Sequence, residues 1–548
     1  MTISYPPCFI CVMKKQIFFF LLLFPCIMLH SQDYQLTWQQ CFGGSMLDGA
    51  YDIIAIENGY FIAGGTGSKD GDITFSYGNG DGWLIKTDNN GNLIWEKTYG
   101  GSDSEGFSRI IPASDNTFYL LGLSFSSDGD ISNDPYPDSP DYWIVKIDSS
   151  GNIIWDKILG GNMGEVLFTG DATIDGGVVA IGQTSSNDGD ISVSYGGNDT
   201  WIVKLSNQGE LEWDYTIGTD WFDTGQAILA TSDGGYLIGS NSIILEGGIG
   251  NITCTPHTYG WVEGVLFKLD SNLNVQWQRC YGGSNHDGFF GIIEIEDGYV
   301  LTGSTSSNDG DVSGWHGESD AWIVKIDFEG NIIWQNPLGG SRTESGSNIL
   351  KTNDGALISV VSTYSNDGNV SGNHSMSEYD ADIWLAKLNS EGELLSQQCF
   401  GGDGNEIVEF GIVKKSDNNF VIAGQTDYGP SYDVGCTPHG GNWDVDYWVF
   451  EIQDTLTSVV ASPKFTGGVK VYPNPANDKV NFEFGNIQNL QQAQLRCYDV
   501  FGSLLHSEAI VPGQKEAVLD ISSWPSGMYV AVVYSNGGVV GKSKFVVE

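Results

Sequence analysis

One phrase recurs seven times along the chain, and this repetition limits the fold more than any other feature. The copies resemble WIVKID followed by GNIIW, and they begin at Trp83, Trp143, Trp201, Val265, Trp322, Trp384 and Trp448. The spacing is about 60 residues, and each copy reads as four short β segments without a helical period. Four strands per repeat, arranged radially, predict an all-β protein with a seven-bladed β-propeller.

The strand count also predicts how the ring closes. We label the strands of each blade A to D from the centre outward. The last repeat supplies strands A, B and C, from about Glu406 to Ile452, and then lacks a fourth strand. The missing D strand is found near the N terminus in YQLTWQQCFGG, where Trp38 takes the position of the tryptophan in the other D strands. Closure by this strand leaves no open sheet edge.

Turn residues and tryptophans follow the repeat. Asp-Gly pairs recur between strands A and B and predict tight turns with positive φ at Gly176, Gly234, Gly298 and Gly355. The D strands carry Trp95, Trp155, Trp213, Trp277 and Trp334, which we interpret as packing between blades. The phrase KIDSSGNIIW resembles the tryptophan docking motif of quinoprotein propellers, where it is structural. It therefore implies no quinone cofactor.

The first residues are predicted to lie outside the propeller. Met13-Lys14-Lys15 precedes the apolar run QIFFFLLLFPCIML, which is typical of a secretory signal. Cleavage is expected after Ser31, and Met13 is an alternative start of translation. A transmembrane anchor is the alternative function of this run, but the run is short for crossing a bilayer.

The composition limits the partners. The chain has 24 basic and 69 acidic residues and a formal net charge of −45. Nucleic acid and anionic membranes are therefore poor partners, because they carry charge of the same sign. Solubility outside the cell and cation binding are both consistent with this charge.

The C-terminal segment is predicted to be a separate antiparallel sandwich. It alternates as short strands in VYPNPANDKVNFEF, YDVFGSLLHSE and LDISSWPSGMYVAVVYSNGGVVGKSKFVVE. These residues resemble the type A C-terminal sorting domain of the type IX secretion system. The resemblance implies an Ig-like fold, contact with that secretion machinery, and release from or attachment to the outer cell surface. We therefore divide the chain into a signal peptide (1–31), a propeller (32–454), a linker (455–467) and a sorting domain (468–548).

Acidic loops between strands B and C carry the most specific local pattern. They read SKDGDIT, SSDGDIS, SNDGDIS and SNDGDVS, and in three blades a further aspartate follows nine residues after the second one. Closely spaced carboxylates in a glycine-containing loop suit calcium, whereas hydrogen bonds from these side chains to the backbone of a turn are the alternative. The candidate calcium ligands are Asp70, Asp72, Asp81, Asp128, Asp130, Asp188, Asp190, Asp199, Asp309, Asp311 and Asp320. No other cofactor is predicted.

Two disulfides are predicted from the blade geometry. Cys254 and Cys436 lie in similar B–C loops, NITCTPH and DVGCTPH, while Cys280 and Cys41 end D strands. B–C loops and the ends of D strands lie on the same side of a propeller, so we expect Cys254 to pair with Cys280 and Cys436 with Cys41. An exported protein can form such bonds. Cys399 and Cys497 have no matching partner and are expected to be free.

The sequence does not identify a catalytic site. The propeller has only three arginines, Arg109, Arg279 and Arg342, and no Gly-X-Ser-X-Gly elbow occurs. We favour a monomeric interaction module that binds a glycan or a protein through the side bearing the B–C and D–A loops. A secreted, glycan-active hydrolase or lyase with a site in the central channel is the alternative, and a structural surface-layer component is a third. The candidate ligand-contacting aromatics are Tyr77, Tyr136, Tyr195, Trp315 and Tyr379.

Overall fold

The structure, a computed structural model, describes the propeller and most of the C-terminal domain. The described residues are 34–137, 139–375, 377–441, 444–455, 469–484, 493–499, 504–511, 514–522, 524–535 and 538–547. Within these ranges the regular structure is all β, and no helix is long and apolar enough to span a membrane. The predicted signal peptide lies outside the described residues, as does the predicted linker apart from Thr455.

The first 28 strands build the repeats. In chain order they are β1 (Tyr34–Phe42), β2 (Asp48–Ile56), β3 (Gly59–Thr66), β4 (Asp81–Thr87), β5 (Leu93–Tyr99), β6 (Glu105–Pro112), β7 (Phe118–Ser124), β8 (Asp141–Ile147), β9 (Ile153–Leu159), β10 (Glu165–Ala172), β11 (Val178–Thr184), β12 (Asp199–Leu205), β13 (Leu211–Ile217), β14 (Asp223–Ala230), β15 (Tyr236–Ile243), β16 (Val262–Leu269), β17 (Val275–Tyr281), β18 (Asp287–Ile295), β19 (Gly298–Thr305), β20 (Asp320–Ile326), β21 (Ile332–Leu338), β22 (Glu344–Lys351), β23 (Leu357–Thr363), β24 (Asp382–Leu388), β25 (Leu394–Phe400), β26 (Ile412–Ser416), β27 (Asn419–Thr426) and β28 (Asp446–Asp454).

These strands form seven antiparallel sheets of four, which are the blades. Blades 1 to 6 are β2–β5, β6–β9, β10–β13, β14–β17, β18–β21 and β22–β25, and each is ordered A to D as in the sequence. The A strands β2, β6, β10, β14, β18 and β22 contact one another in turn, and β2 also contacts β26 of blade 7. The A strands therefore surround the centre of a seven-bladed propeller, as the repeat predicts.

Blade 7 contains both ends of the repeat array. Its sheet has the order β1-β28-β27-β26, so its outermost strand comes from the N terminus. Strand β1 pairs antiparallel with β28, with Cys41 opposite Trp448 and Phe42 opposite Tyr447. Hydrogen bonds between the first and the last propeller strands therefore close the ring.

The C strands are buried on both faces. All seven residues of β8 are buried, including Lys146, whose Nζ lies 2.9 Å from Asp115 Oδ2 in the preceding A–B turn. Neighbouring blades cover both sides of each sheet, so both sets of alternating side chains in WIVKI are buried. Lys268 and Lys325 make the same type of ion pair, with Asp233 and Asp297.

The D-strand tryptophans pack against the C–D turn of the next blade. Trp155 Nε1 donates to the carbonyl oxygen of Asn207 at 3.1 Å. Its ring covers Gly209, where an added Cβ would lie 2.9 Å from the indole and where φ is +83°. Trp277 and Trp334 donate in the same way to the carbonyls of Phe328 and Ser390. Their role in packing between blades is therefore the predicted one.

Both predicted disulfides are present. Cys41 pairs with Cys436 at a Cα–Cα distance of 5.9 Å, and Cys254 pairs with Cys280 at 5.6 Å. Cys399 and Cys497 are free and buried, as predicted. Each bridge ties a B–C loop to the end of the D strand in the same blade.

The C-terminal domain consists of two antiparallel sheets. Its strands are β29 (Val469–Tyr472), β30 (Lys479–Phe484), β31 (Ala493–Asp499), β32 (Leu504–Ile510), β33 (Glu516–Asp520), β34 (Gly527–Ser535) and β35 (Gly538–Val547). One sheet has the order β29-β30-β33, and the other has the order β32-β31-β34-β35. Phe482, Leu495 and Phe545 lie in their common core. This arrangement is the predicted small sandwich.

Candidate functional site

The acidic B–C loops hold the turn that joins one blade to the next. In blade 2, Asp128 Oδ1 accepts a hydrogen bond from the amide of Ser102 at 2.7 Å, and Asp130 Oδ2 accepts one from the amide of Gly100 at 3.3 Å. Both amides belong to the D–A turn that enters the blade. The same bonds are made by Asp70 and Asp72, by Asp188 and Asp190, and by Asp309 and Asp311.

The two aspartates that are nine residues apart lie at different D–A turns. Asp72 accepts a hydrogen bond from Gly43, at the turn before blade 1. Asp81 lies against Gly100, at the turn after blade 1. Asp199 and Asp320 occupy the same position as Asp81 in blades 3 and 5, at the starts of buried C strands. The spacing therefore does not bring the two aspartates to a shared site.

A further set of carboxylates was not singled out from the sequence. Glu105 begins strand A of blade 2, is buried, and accepts hydrogen bonds from the amide of Gly101 at 2.7 Å and from Ser124 Oγ at 3.0 Å. The equivalent buried residues are Asp48, Glu165, Asp223, Asp287, Glu344 and Glu406. The signal for them is an acidic residue four positions after the second residue of each Gly-Gly or Gly-Thr turn.

Each D–A turn therefore brings together carboxylates from two blades. At the turn between blades 2 and 3, Asp141 Oδ1 and Glu165 Oε2 both lie beside Gly160. Asp141 is buried, and neither of its oxygens meets a hydrogen-bond donor. Burial, and secondarily Glu165, raises the pKa of Asp141 to about 9. At neutral pH Asp141 therefore holds its proton beside Glu165.

In blades 4 to 7, a histidine of the B–C loop lies close to the carboxylates of a D–A turn. The Nδ1 atoms of these histidines lie 2.6 to 2.9 Å from a carboxylate oxygen at or near the start of the C strand. The pairs are His257 with Glu263, His316 with Asp320, His374 with Asp382 and His439 with Asp446. Hydrogen bonds to the carboxylates raise the pKa of His257, His374 and His439 against the opposing effect of burial. The neighbouring carboxylates therefore favour the protonated form of His257, His374 and His439.

No group of three or more His, Cys, Asp or Glu side chains in the described ranges is arranged to hold a metal ion. The loop carboxylates act there as acceptors for backbone amides, which is the turn chemistry weighed against calcium. Calcium binding by these loops stays a prediction. A comparison of the melting temperature in chelator and in millimolar calcium tests it.

The predicted aromatic residues divide into two groups. Tyr379 is 78 % exposed and Tyr77 is 39 % exposed, with the Tyr77 hydroxyl donating to Asp130 Oδ1 at 3.0 Å. Tyr136, Tyr195 and Trp315 are half-buried. The second group is therefore less available to a ligand than the sequence suggests.

Exposed aromatic side chains gather on one side of the propeller. We call the side that bears the B–C and D–A loops the loop face. In the described propeller residues, nine of the ten exposed aromatic side chains lie in these loops: Phe75, Tyr77, Phe125, Trp221, Phe222, Tyr259, Trp261, Tyr379 and Tyr432. The tenth is Phe328, in a C–D turn on the opposite side. Contiguous groups of exposed apolar side chains mark interaction surfaces, so the loop face is the candidate for such a surface.

Seven of the nine were not anticipated as ligand contacts, and four of these seven lie beside blade 4. Trp221 and Phe222 belong to the D–A turn before blade 4, and Tyr259 and Trp261 to the B–C loop of that blade. The signal for Tyr259 and Trp261 in the sequence is the departure of this loop from the acidic pattern, since NITCTPHTYGW replaces it.

Comparison with known proteins identifies the C-terminal domain. Residues 470–548 match the family described as the secretion system C-terminal sorting domain. No curated protein is similar enough to match the sequence.

Similar solved structures are distant. The WD40 domain of Pan2 from Neurospora crassa is 10 % identical, with a TM-score of 0.41 over 76 % of this chain and 95 % of that one. The polysaccharide lyase Uly1 is also 10 % identical, with a TM-score of 0.41 over 75 % and 91 %. A Bacteroides caccae protein of unknown function is 12 % identical, with a TM-score of 0.33 over 63 % and 94 %.

The sorting domain indicates both the export route and the destination. The chain is a seven-bladed β-propeller protein with a type IX secretion system C-terminal sorting domain, which directs it to secretion and to the outer cell surface.

Proposed function

We propose that the propeller is a binding module that captures an extracellular ligand through its loop face. The observation that carries this proposal is the placement of nine of the ten exposed aromatic side chains on that face. Aromatic side chains contribute a large contact area and lose little conformational entropy on binding. Export to the outer surface places this face in contact with ligands outside the cell.

The roles of the buried acids and histidines support binding rather than catalysis. Glu165 accepts hydrogen bonds from Gly161 and Thr184, and His316 pairs with Asp320. These groups hold the blades together and are engaged with one another. A general acid or base would instead have to reach a substrate proton.

Binding of the full chain to an array of glycans and extracellular proteins tests the proposal. Three variants replace the loop-face aromatics by serine in groups: Phe75, Tyr77 and Phe125; Trp221, Phe222, Tyr259 and Trp261; Tyr379 and Tyr432. A matched control replaces Phe328, Ile333 and Leu395, which are exposed outside these loops. We expect at least one loop-face variant to lose binding while the control keeps it.

Two results would contradict the binding module. Binding that all three loop-face variants retain would place the ligand elsewhere on the protein. Release of new reducing ends or unsaturated sugars from an arrayed glycan would favour the hydrolase or lyase alternative.

A further inference from the structure

One cluster of exposed aromatic side chains is built from two adjoining segments. We define the aromatic platform as Trp221, Phe222, Tyr259 and Trp261, which are 55 %, 41 %, 47 % and 45 % exposed. An exposure of about half fits a ring that rests on the protein with one face open to solvent. The platform lies where the D–A turn from blade 3 meets the B–C loop of blade 4.

Backbone hydrogen bonds join the two segments. The amide of Ile243 donates to the carbonyl of Phe222 at 2.9 Å, and the amide of Gly260 donates to the carbonyl of Ile244 at 2.9 Å. Trp261 also contacts the D–A turn that enters blade 5. The centroid of its ring lies 4.9 Å from that of His286, in an edge-to-face arrangement. The two segments that carry the four aromatic residues are therefore adjacent on the loop face.

The loop that carries Tyr259 and Trp261 is held firmly. The Cys254–Cys280 disulfide ties it to strand D, and the amide of Thr253 donates to Gln278 Oε1 at 2.7 Å. His257 Nδ1 lies 2.6 Å from Glu263 at the base of the loop. A loop fixed at several points loses little entropy when a ligand binds.

Resting on the proposed function, we propose that the aromatic platform binds a neutral glycan. The negative faces of the aromatic rings attract the polarised C–H groups on one side of a sugar ring. Asp220, beside Trp221, and Glu246, in the same B–C loop as Tyr259, are exposed and can accept hydrogen bonds from sugar hydroxyls. A net charge of −45 repels polyanionic polysaccharides, which favours an uncharged glycan over an anionic one.

Titration calorimetry of the full chain tests the platform with four neutral hexasaccharides: cellohexaose, xylohexaose, mannohexaose and N-acetylchitohexaose. We expect at least one to bind and to change the tryptophan fluorescence. Trp221→Ala and Trp261→Ala should each weaken that binding about tenfold or more, and the double variant should abolish it. Phe328→Ala, an exposed ring on the opposite side, should leave the affinity unchanged.

A second variant tests the role of the loop. Replacement of both Cys254 and Cys280 by serine should weaken hexasaccharide binding, with circular dichroism confirming that the fold is kept.

Equal affinities of the wild type, Trp221→Ala and Trp261→Ala for a hexasaccharide would overturn the platform but leave the binding module intact. A failure of all four sugars would overturn the glycan assignment. If hexalysine binds instead, and this binding requires the platform, the ligand is a basic peptide. If the wild-type protein binds nothing on the array of glycans and extracellular proteins, the binding module is overturned as well.

Discussion

The first glycine of the D–A turn lies between two buried carboxylates at Gly100, Gly160, Gly339 and Gly401, and Gly160 shows why the position is small. A Cβ there would overlap Asp141 Oδ1 and lie 2.6 Å from Glu165 Oε2. Both side chains are buried and cannot move away without losing their packing. The two carboxylates come from different blades, so any residue larger than glycine would push the blades apart.

Replacing Gly160 by alanine should therefore destabilise the protein by roughly 1–3 kcal/mol or more, as expected for overpacking in a core. Gly106→Ala is the matched control, because a Cβ at Gly106 meets nothing within 4 Å. Denaturant unfolding of both variants measures the difference. Similar midpoints for the two would show that the carboxylates can relax around the added methyl group.

Stability should depend on pH through Asp141. Its pKa is raised from an ordinary value of 3.8 to about 9, so its contribution to stability is complete below the ordinary value and is lost as the pH rises through about 9. The melting temperature should therefore fall as the pH rises from about 4 to about 9, the range in which the folded state keeps this proton and the unfolded state does not. Asp141→Asn, which cannot ionise, should reduce this fall, and the exposed control Asp103→Asn should not. An unchanged pH dependence in Asp141→Asn would show that Asp141 is ionised across this range.

The buried acids explain why the junctions could not be predicted residue by residue. The chain has 69 acidic residues, so an acid four positions after a Gly-Gly turn is not distinctive by itself. Its meaning appears only when the next blade brings a second carboxylate to the same glycine. The loop aspartates, in contrast, were found from their repetition, although the nine-residue spacing suggested the wrong partners.

At the scale of the element, the blade is held to its neighbour by the D-strand tryptophan. Trp155 covers Gly209 of the next blade and donates a hydrogen bond to Asn207, whereas the adjacent Ile154 is 52 % exposed. Trp155→Ala should cost about 3–5 kcal/mol, as for other large-to-small changes in packed regions, and Ile154→Ala should cost much less. Chemical denaturation checks both. Comparable losses would mean that the indole contributes little to the contact between blades.

Strands were predictable because each carries a repeated pattern with turn residues at its ends. Gly176, Gly234, Gly298 and Gly355 all have positive φ, as their Asp-Gly turns require. The burial of both faces of the C strands was not predictable from alternation. It follows from the stacking of blades, which a single strand does not reveal. The D–A turn that carries Trp221 and Phe222 follows no motif, so its part in the aromatic platform emerged only from the fold.

At the scale of the whole molecule, the two disulfides close loops of very different length. Cys41 and Cys436 are separated by 395 residues, and Cys254 and Cys280 by 26. The loop-entropy relation gives about 6 kcal/mol for the first bridge and about 3.5 kcal/mol for the second. Replacing both cysteines of the first pair by serine should therefore lower the unfolding midpoint more than the same change in the second pair. Equal losses would show that local packing, rather than ring closure, determines the contribution of each bridge.

The number of blades, the closing strand and both disulfides followed from counting repeats, because a closed ring requires each strand position to be filled. The loop face could be inferred from the same topology. The ligand could not be inferred, since the loops that bear Trp261 and Tyr432 depart from the acidic pattern of the other B–C loops and match no known binding motif. A repeated sequence predicts the scaffold, while its exceptions carry the recognition surface.

The pairing of β1 with β28 also means that only a chain translated to its end can both close the propeller and be exported. Strand β1 is made first, its partner ends at Asp454, and the sorting domain follows from residue 470 onward. A polypeptide interrupted before Asp454 lacks part of the strand that completes the ring and also lacks the signal for export. Every chain that presents the sorting domain to the secretion machinery therefore already contains all the strands of its propeller. Truncated products, which have an open sheet edge, lack the sorting domain and are not recognised for export.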